Sequence, residues 1–224
     1  VSLIYEVYIS ENYDGKIPFI DDDKIYKVKD SVFSDVKDTK TTQGIVALVK
    51  ISDDYNDIEK FVEKIHTTNA KNNNILILDN IQDPGNLGTM LRTAEASGTN
   101  NIMLVNNCVD VYSPKVVRSS MSAITRLNIY KSIDHIKDIK YIKDKKYSII
   151  GTFLDGKKMY ANDMYEGDIA VVIGNEANGI SDEVKYLCDK KVSIPMSGKI
   201  ESLNASIACA IILYEVRRQN EFVC

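Results

Sequence analysis

An α/β architecture is the fold class this sequence predicts: a parallel sheet covered by helices on both faces, preceded by a smaller α/β unit. Three observations carry that prediction. From Ile75 onward, continuous apolar runs of strand length alternate with segments of helical period, the pattern of strands buried on both sides. Three of these runs end in glycine-containing loops that open into helices, after Leu78, Ile173 and Pro195. Hydrophobic content of 44% with 27% charged residues is that of an ordinary globular chain, and no apolar stretch approaches a membrane span.

The elements follow in order. In residues 1–52, Tyr5–Ile9 and Ile25–Val28 alternate like strands, Ser31–Val36 reads as a short helix and Gly44–Val49 as a buried strand. Val1 falls within a strand-forming stretch, so this small α/β unit is expected to be incomplete. Residues 53–74 read as a helical linker, with Ile58, Phe61, Val62 and Ile65 on one face and a polar loop at Thr67–Asn74. Residues 75–224 form the main domain. Strands are expected at Ile75–Leu78, Ile102–Val105, Tyr147–Leu154, Ile169–Gly174 and Val192–Met196, and helices near 87–97, 114–124, 132–145, 181–188 and 203–218. The last helix is apolar almost all round, from Leu203 through Val216. It must be buried on more than one side, either inside one domain or against a second copy.

Charge and cysteines narrow the function. A net charge of −4 argues against indiscriminate nucleic-acid binding. The acidity sits in residues 1–70, with 9 Lys/Arg against 14 Asp/Glu, while residues 71–130 carry 5 against 4. RNA contacts would therefore use local cations such as Lys115, Arg118 and Arg126. The Lys/Asp-rich stretch 137–146 reads as a solvated helix face. Cys108, Cys188, Cys209 and Cys224 are scattered without a C-x-x-C pair, and Cys209 lies in an apolar helical run where packing is its expected role. A reduced, cytoplasmic protein without a structural metal is expected. His66 and His135 each stand alone, which leaves little for a histidine metal site or a Ser-His-Asp triad.

The chemistry is concentrated in three blocks. The first is Asp79-Asn80-Ile81-Gln82-Asp83-Pro84-Gly85-Asn86-Leu87-Gly88-Thr89-Met90-Leu91-Arg92-Thr93-Ala94. It lacks the G-x-G-x-x-G dinucleotide fingerprint and the Gly-Lys-Ser/Thr end of a P-loop. Leu87, Met90, Leu91 and Ala94 form its buried stripe. Arg92 falls off that stripe, level with Gly88 and Glu95, where it either pairs with Glu95 or holds something at the loop. The second block runs Gly174-Asn175-Glu176-Ala177-Asn178-Gly179, a strand end where glycine lets a ligand approach the backbone. The third runs Ile194-Pro195-Met196-Ser197-Gly198, then Glu201-Ser202-Leu203-Asn204-Ala205-Ser206, with Ser202 and Asn204 placed as helix caps.

Together these blocks resemble the SpoU (TrmH-like) branch of the SPOUT RNA methyltransferases over residues 75–218. The matching signatures are N-x-G-x-x-x-R-T-A at Asn86–Ala94, G-N-E-x-x-G at Gly174–Gly179, and I-P-M-x-G with E-S-L-N-x-S at Ile194–Ser206. Ser113–Ser120 is also similar to this family. Residues 1–50 look like the N-terminal substrate-binding unit of its ribosomal-RNA-modifying members. Ala177 and Ala205 depart from the family's frequent glycine and valine without removing a functional group.

The resemblance implies a deep C-terminal trefoil knot and a homodimer through the final helix. It also implies methyl transfer from S-adenosylmethionine to a ribose 2′-hydroxyl, with large-subunit ribosomal RNA the expected substrate. The catalytic set it implies is Arg92, Asn86, Glu176, Ser202 and Asn204, with Asn86 orienting Arg92. Gly174, Asn175, Ile194, Met196 and Leu203 would bind the cofactor, with Thr152 and Phe153 beside them, and no metal would be involved. Two other readings remain: a non-catalytic RNA-binding relative, and a SPOUT enzyme that methylates a base. They are separated by cofactor binding and by the nucleoside formed.

Overall fold

The computed structural model describes residues 4–36, 43–51, 53–67, 73–161 and 164–221. Contacts divide the chain into two units, Val1–Asp53 and Asp54–Cys224. The first holds β1 (Ile4–Ser10), β2 (Ile25–Val28), α1 (Asp30–Val36) and β3 (Ile45–Val49). Its sheet has the order β2-β1-β3, with β1 parallel to β2 and antiparallel to β3. Among the described residues, Val7, Ser10 and Phe33 are its buried side chains, and Tyr8 stacks on its cross-strand partner Tyr26 at 5.5 Å.

The second unit begins with α2 (Ile58–Thr67), β4 (Ile75–Asp79), α3 (Pro84–Ser97), β5 (Asn101–Val105), α4 (Pro114–Ser119) and β6 (Asn128–Lys131). It continues with α5 (His135–Asp144), β7 (Ser148–Lys158), β8 (Ile169–Ile173), α6 (Asp182–Leu187), β9 (Lys190–Ser193) and α7 (Ala205–Glu221). Six strands make one sheet in the order β6-β5-β4-β8-β7-β9, every neighbouring pair parallel. The continuous apolar runs conceal a period of two. Leu76, Leu78, Ile102, Leu104, Val171 and Ile173 face one core with residues of α3, α4 and α7. Ile75, Ile77, Met103, Val105, Ala170 and Val172 face the other, with α2, α5 and α6. Both faces are dry, which is why these strands carry no polar alternation. Phe61, Val62 and Ile65 of α2 are buried in the second core, so this helix packs as part of the larger unit.

α3 follows its end signals closely. Asp83 caps it by accepting the Asn86 N–H at 2.7 Å, Pro84 opens it, and Gly98 closes it in the left-handed region at φ 85°. Gly88 permits the crossing with α4: a Cβ there would lie 1.8 Å from Ser119 Oγ and 3.0 Å from the Ser120 nitrogen. α7 presents two faces. Ala205, Cys209, Ile212, Leu213 and Val216 are buried, whereas Ile207 and Tyr214 are 50% and 49% exposed, with half-buried Ala210 and Ile211 between them.

Several boundaries differ from the sequence expectation. The helix expected at 114–124 ends at Ser119, because Met121 and Ser122 adopt left-handed backbone at φ 49° and 65°; a short 3-10 turn follows at Ala123–Thr125. β6 was not expected, since only Ile129 and Tyr130 stand between polar Asn128 and Lys131. β9 stops at Ser193, two residues before Pro195, which has no N–H to continue a ladder. β7 runs on to Lys158 by a register shift between Thr152 and Lys157, so its polar end still pairs with β9. No helix among the described residues is long and apolar enough to cross a membrane.

Candidate active site

The middle of β7, from Thr152 to Asp155, and the loops that leave β8 and β9 surround a cavity of about 450 Å³, at the carboxyl edge of the parallel sheet, where open α/β folds hold ligands. The β8 loop forms one wall. A Cβ on Gly174 would sit 2.2 Å from the Gly179 carbonyl carbon and 2.3 Å from the Ile180 nitrogen, so the loop can fold back on itself only at a glycine. Paired backbone hydrogen bonds between Asn175 and Gly179, 2.9 Å in each direction, close it. The Asn175 side chain accepts the Ala177 and Asn178 N–H groups at 3.0 and 3.1 Å and donates to the Asn80 carbonyl at 2.9 Å.

Beneath the loop lies a buried polar frame to which the sequence reading assigned no role. Asp79, fully buried at the end of β4, accepts the Ser181 N–H at 2.7 Å and the Asn106 side-chain amide at 2.5 Å. Asn106 also donates to Ser181 Oγ at 3.2 Å. A carboxylate ending an apolar strand was the available signal, because such a group is buried only where donors satisfy it.

Three distant segments meet in one chain of amides. Asn204 Oδ1 caps α7, accepting the Ser206 N–H at 2.9 Å and its hydroxyl at 2.6 Å. That fixes the amide so that its Nδ2 donates to Asn86 Oδ1 at 3.1 Å. Asn86 Nδ2 in turn donates to Glu176 Oε1 at 2.7 Å. The order of donors runs one way because an ionised carboxylate can only accept. Capping and site assembly are thus the same interaction for Asn204.

Gly174, Asn175, Ile194, Met196 and Leu203 all line the cavity, as do Thr152 and Phe153. Glu176 and Ser202 line it too, and Asn86 and Asn204 are tied to Glu176 from behind. Arg92 does not line it. Arg92 lies exposed on α3, and among the described residues no hydrogen bond or ion pair engages it. The pairing with Glu95 does not form, since Arg126 holds that carboxylate at 2.7 Å and depresses its pKa. No hydrogen bond joins Asn86 to Arg92: the Asn86 amide engages Glu176 and Asn204, and six residues of helix separate the two by about 9 Å along the axis. The charged lining is Asp155, Glu176 and Glu201 against one cation, Lys185.

A sequence model of the SpoU rRNA Methylase family matches residues 73–214. A TrmH family tRNA/rRNA methyltransferase of Staphylococcus saprophyticus is 33% identical over 181 residues, covering 81% of this chain and 72% of that protein. A solved TrmH-family RNA methyltransferase from Porphyromonas gingivalis superposes with a TM-score of 0.82 at 29% identity, over 96% of this chain and 83% of that one. The SpoU methyltransferase AviRb from Streptomyces viridochromogenes, solved in complex with AdoMet, gives 0.79 over 96% and 83%; at 23% identity this likeness is one of fold.

Proposed function

We infer the reaction from a premise the comparisons supply: the chain belongs to the SpoU rRNA Methylase family and is an RNA methyltransferase. Its methyl donor is S-adenosylmethionine, and the acceptor is a ribose 2′-hydroxyl of large-subunit ribosomal RNA, modified in the cytoplasm. The observation that carries this reading is the Asn204–Asn86–Glu176 relay at the wall of the cavity.

The residues fit the donor. A cavity of about 450 Å³ suits one small ligand. Ile194, Met196 and Leu203 offer apolar walls to the adenine faces, and the loop after β9 offers backbone groups to its edge. Three acids on the lining suit a ligand whose sulfonium and ammonium are both positive. S-adenosylmethionine supplies a methyl group on a sulfonium, itself a good leaving group.

The work left to the protein is alignment and management of one proton. The methyl carbon passes from sulfur to the ribose oxygen, and the hydroxyl proton departs late, as the C–O bond forms. Glu176, held by Asn86 and open to solvent, receives that proton and passes it to water. Ser202 and Asn204 keep the polar wall in place. Arginine is a poor base in general, so Arg92 serves as a cation for the substrate phosphate and the developing oxyanion.

The chain leaving β9 at one sheet edge returns to set α7 against α3 and β8. We read that return as the threading of a trefoil knot. The exposed stripe Ile207, Ala210, Ile211 and Tyr214 is the homodimer face. The unit Val1–Asp53 serves as the RNA-binding domain, and the unit Asp54–Cys224, α2 included, as the methyltransferase domain. A labelled methyl donor incubated with the protein and total RNA from cells lacking it should place label in the large-subunit RNA. Label confined to transfer RNA would overturn the substrate assignment.

A further inference from the structure

We propose that Lys185 and Lys191, gathered on the ring of Phe153, form an anion subsite of the cavity that takes the carboxylate of the methyl donor's methionine end. The inference rests on the cofactor reading above. The ammonium of Lys185 lies 5.9 Å from the Phe153 centroid and that of Lys191 lies 5.1 Å from it. Phe153 and Lys185 both line the cavity.

Two like charges sharing one aromatic ring repel each other unless an anion lies between them or nearby. Among the described residues, neither lysine has a carboxylate within ion-pair distance. Two of the nearby acids are taken, while Asp155 lines the cavity beside Lys185 without pairing with either lysine. Asp189 is held by Lys143 at 2.7 Å and by the Ile149 N–H at 2.9 Å, and Glu183 pairs with His135 at 2.9 Å. The rest of the lining is acidic, with Asp155, Glu176 and Glu201. The cavity is therefore built for a ligand that is cationic over most of its length and anionic at one end. S-adenosylmethionine has that pattern, with one carboxylate against a sulfonium and an ammonium.

Position agrees with this. β7, which carries Phe153, neighbours β8, whose exit loop carries Glu176, so the two sites are about one strand spacing of 5 Å apart along the sheet edge. A single small molecule can touch both.

Calorimetric titration with three ligands tests the assignment: S-adenosylmethionine, its decarboxylated form, and 5′-methylthioadenosine, which lacks the whole amino-acid end. Wild-type protein should prefer S-adenosylmethionine over the decarboxylated compound by about tenfold, the worth of two partly exposed charge pairs. In Lys185→Gln/Lys191→Gln that preference should fall to within about twofold, while the affinity for methylthioadenosine, a check on folding, stays at the wild-type value. Undiminished preference in the double variant, with S-adenosylmethionine still bound, overturns the subsite alone. So does a double variant that loses RNA affinity and salt dependence but keeps the preference, since the anion would then be an RNA phosphate. Wild-type protein that binds none of the three overturns the cofactor reading and the subsite together.

Discussion

Replacing Gly174 by alanine asks more of the site than any other single methyl. The new Cβ would stand 2.2 Å from one backbone atom and 2.3 Å from another, both in the Gly179–Ile180 peptide, and no side-chain rotation can relieve that. The loop must open. Opening separates Asn175 from Gly179 and so breaks both backbone hydrogen bonds that close the loop. At about 1 kcal/mol net for each bond, roughly 2 kcal/mol must be restored before the cavity wall can re-form around a ligand. With tenfold in affinity for each 1.4 kcal/mol, S-adenosylmethionine should bind about 30-fold more weakly. Isothermal titration measures this directly. Turnover at saturating cofactor should fall as well, because Glu176, which Asn86 holds, lies within the opened loop. Wild-type affinity in Gly174→Ala would refute the view that this fold-back shapes the binding wall.

Further predictions address the other parts of the account. Arg92→Ala should reduce methyl transfer by at least about 100-fold while leaving cofactor affinity within about twofold, since Arg92 lies outside the cavity lining; single-turnover assays and titration separate the two. Asn86→Ala breaks both links of the relay and should lower unfolding stability by about 2 kcal/mol in urea titrations, with a loss of transfer beyond what added cofactor can rescue. Ile207→Asp/Tyr214→Lys should give monomers in sedimentation experiments where the parent protein sediments as a dimer, and a monomeric parent would remove the dimer face. Burial pushes the thiols of Cys108 and Cys188 up to about 11 and that of Cys209 to about 12. Raised folded-state values mean stability is fully present below the ordinary thiol value near 9 and lost as pH climbs through 11 to 12. The urea midpoint should hold steady to about pH 8.5 and decline above it, and native Cys209 should resist iodoacetamide at pH 8.

The parallel sheet was legible because a strand buried on both faces carries a continuous apolar run, as Ile75–Leu78, Ile102–Val105 and Ile169–Ile173 do. β6 was not, because its two core residues sit between polar neighbours that only tertiary contacts explain: Asn128 donates to the Phe61 carbonyl at 3.2 Å and to Asn101 at 3.1 Å. The early end of α4 was equally hidden, since nothing in Met121 or Ser122 announces left-handed backbone. In the site, the cavity residues were identifiable from the motifs, but partnership was not. Helical spacing correctly set Arg92 beside Glu95, yet Arg126, 31 residues from Glu95, took the carboxylate. Asp79 heads the first motif but received no role there, and Lys185 was not singled out: the importance of each arises from what the loops bring to it.

The measurement closest to the heart of the account is the identity of the methylated nucleoside. Ribosomal RNA incubated with the protein and deuterated methyl donor, digested to nucleosides and resolved by mass spectrometry, should yield one deuterated 2′-O-methyl nucleoside whose 3′ linkage resists alkaline cleavage. A deuterated methyl on a base, with every sugar unlabelled, would contradict it.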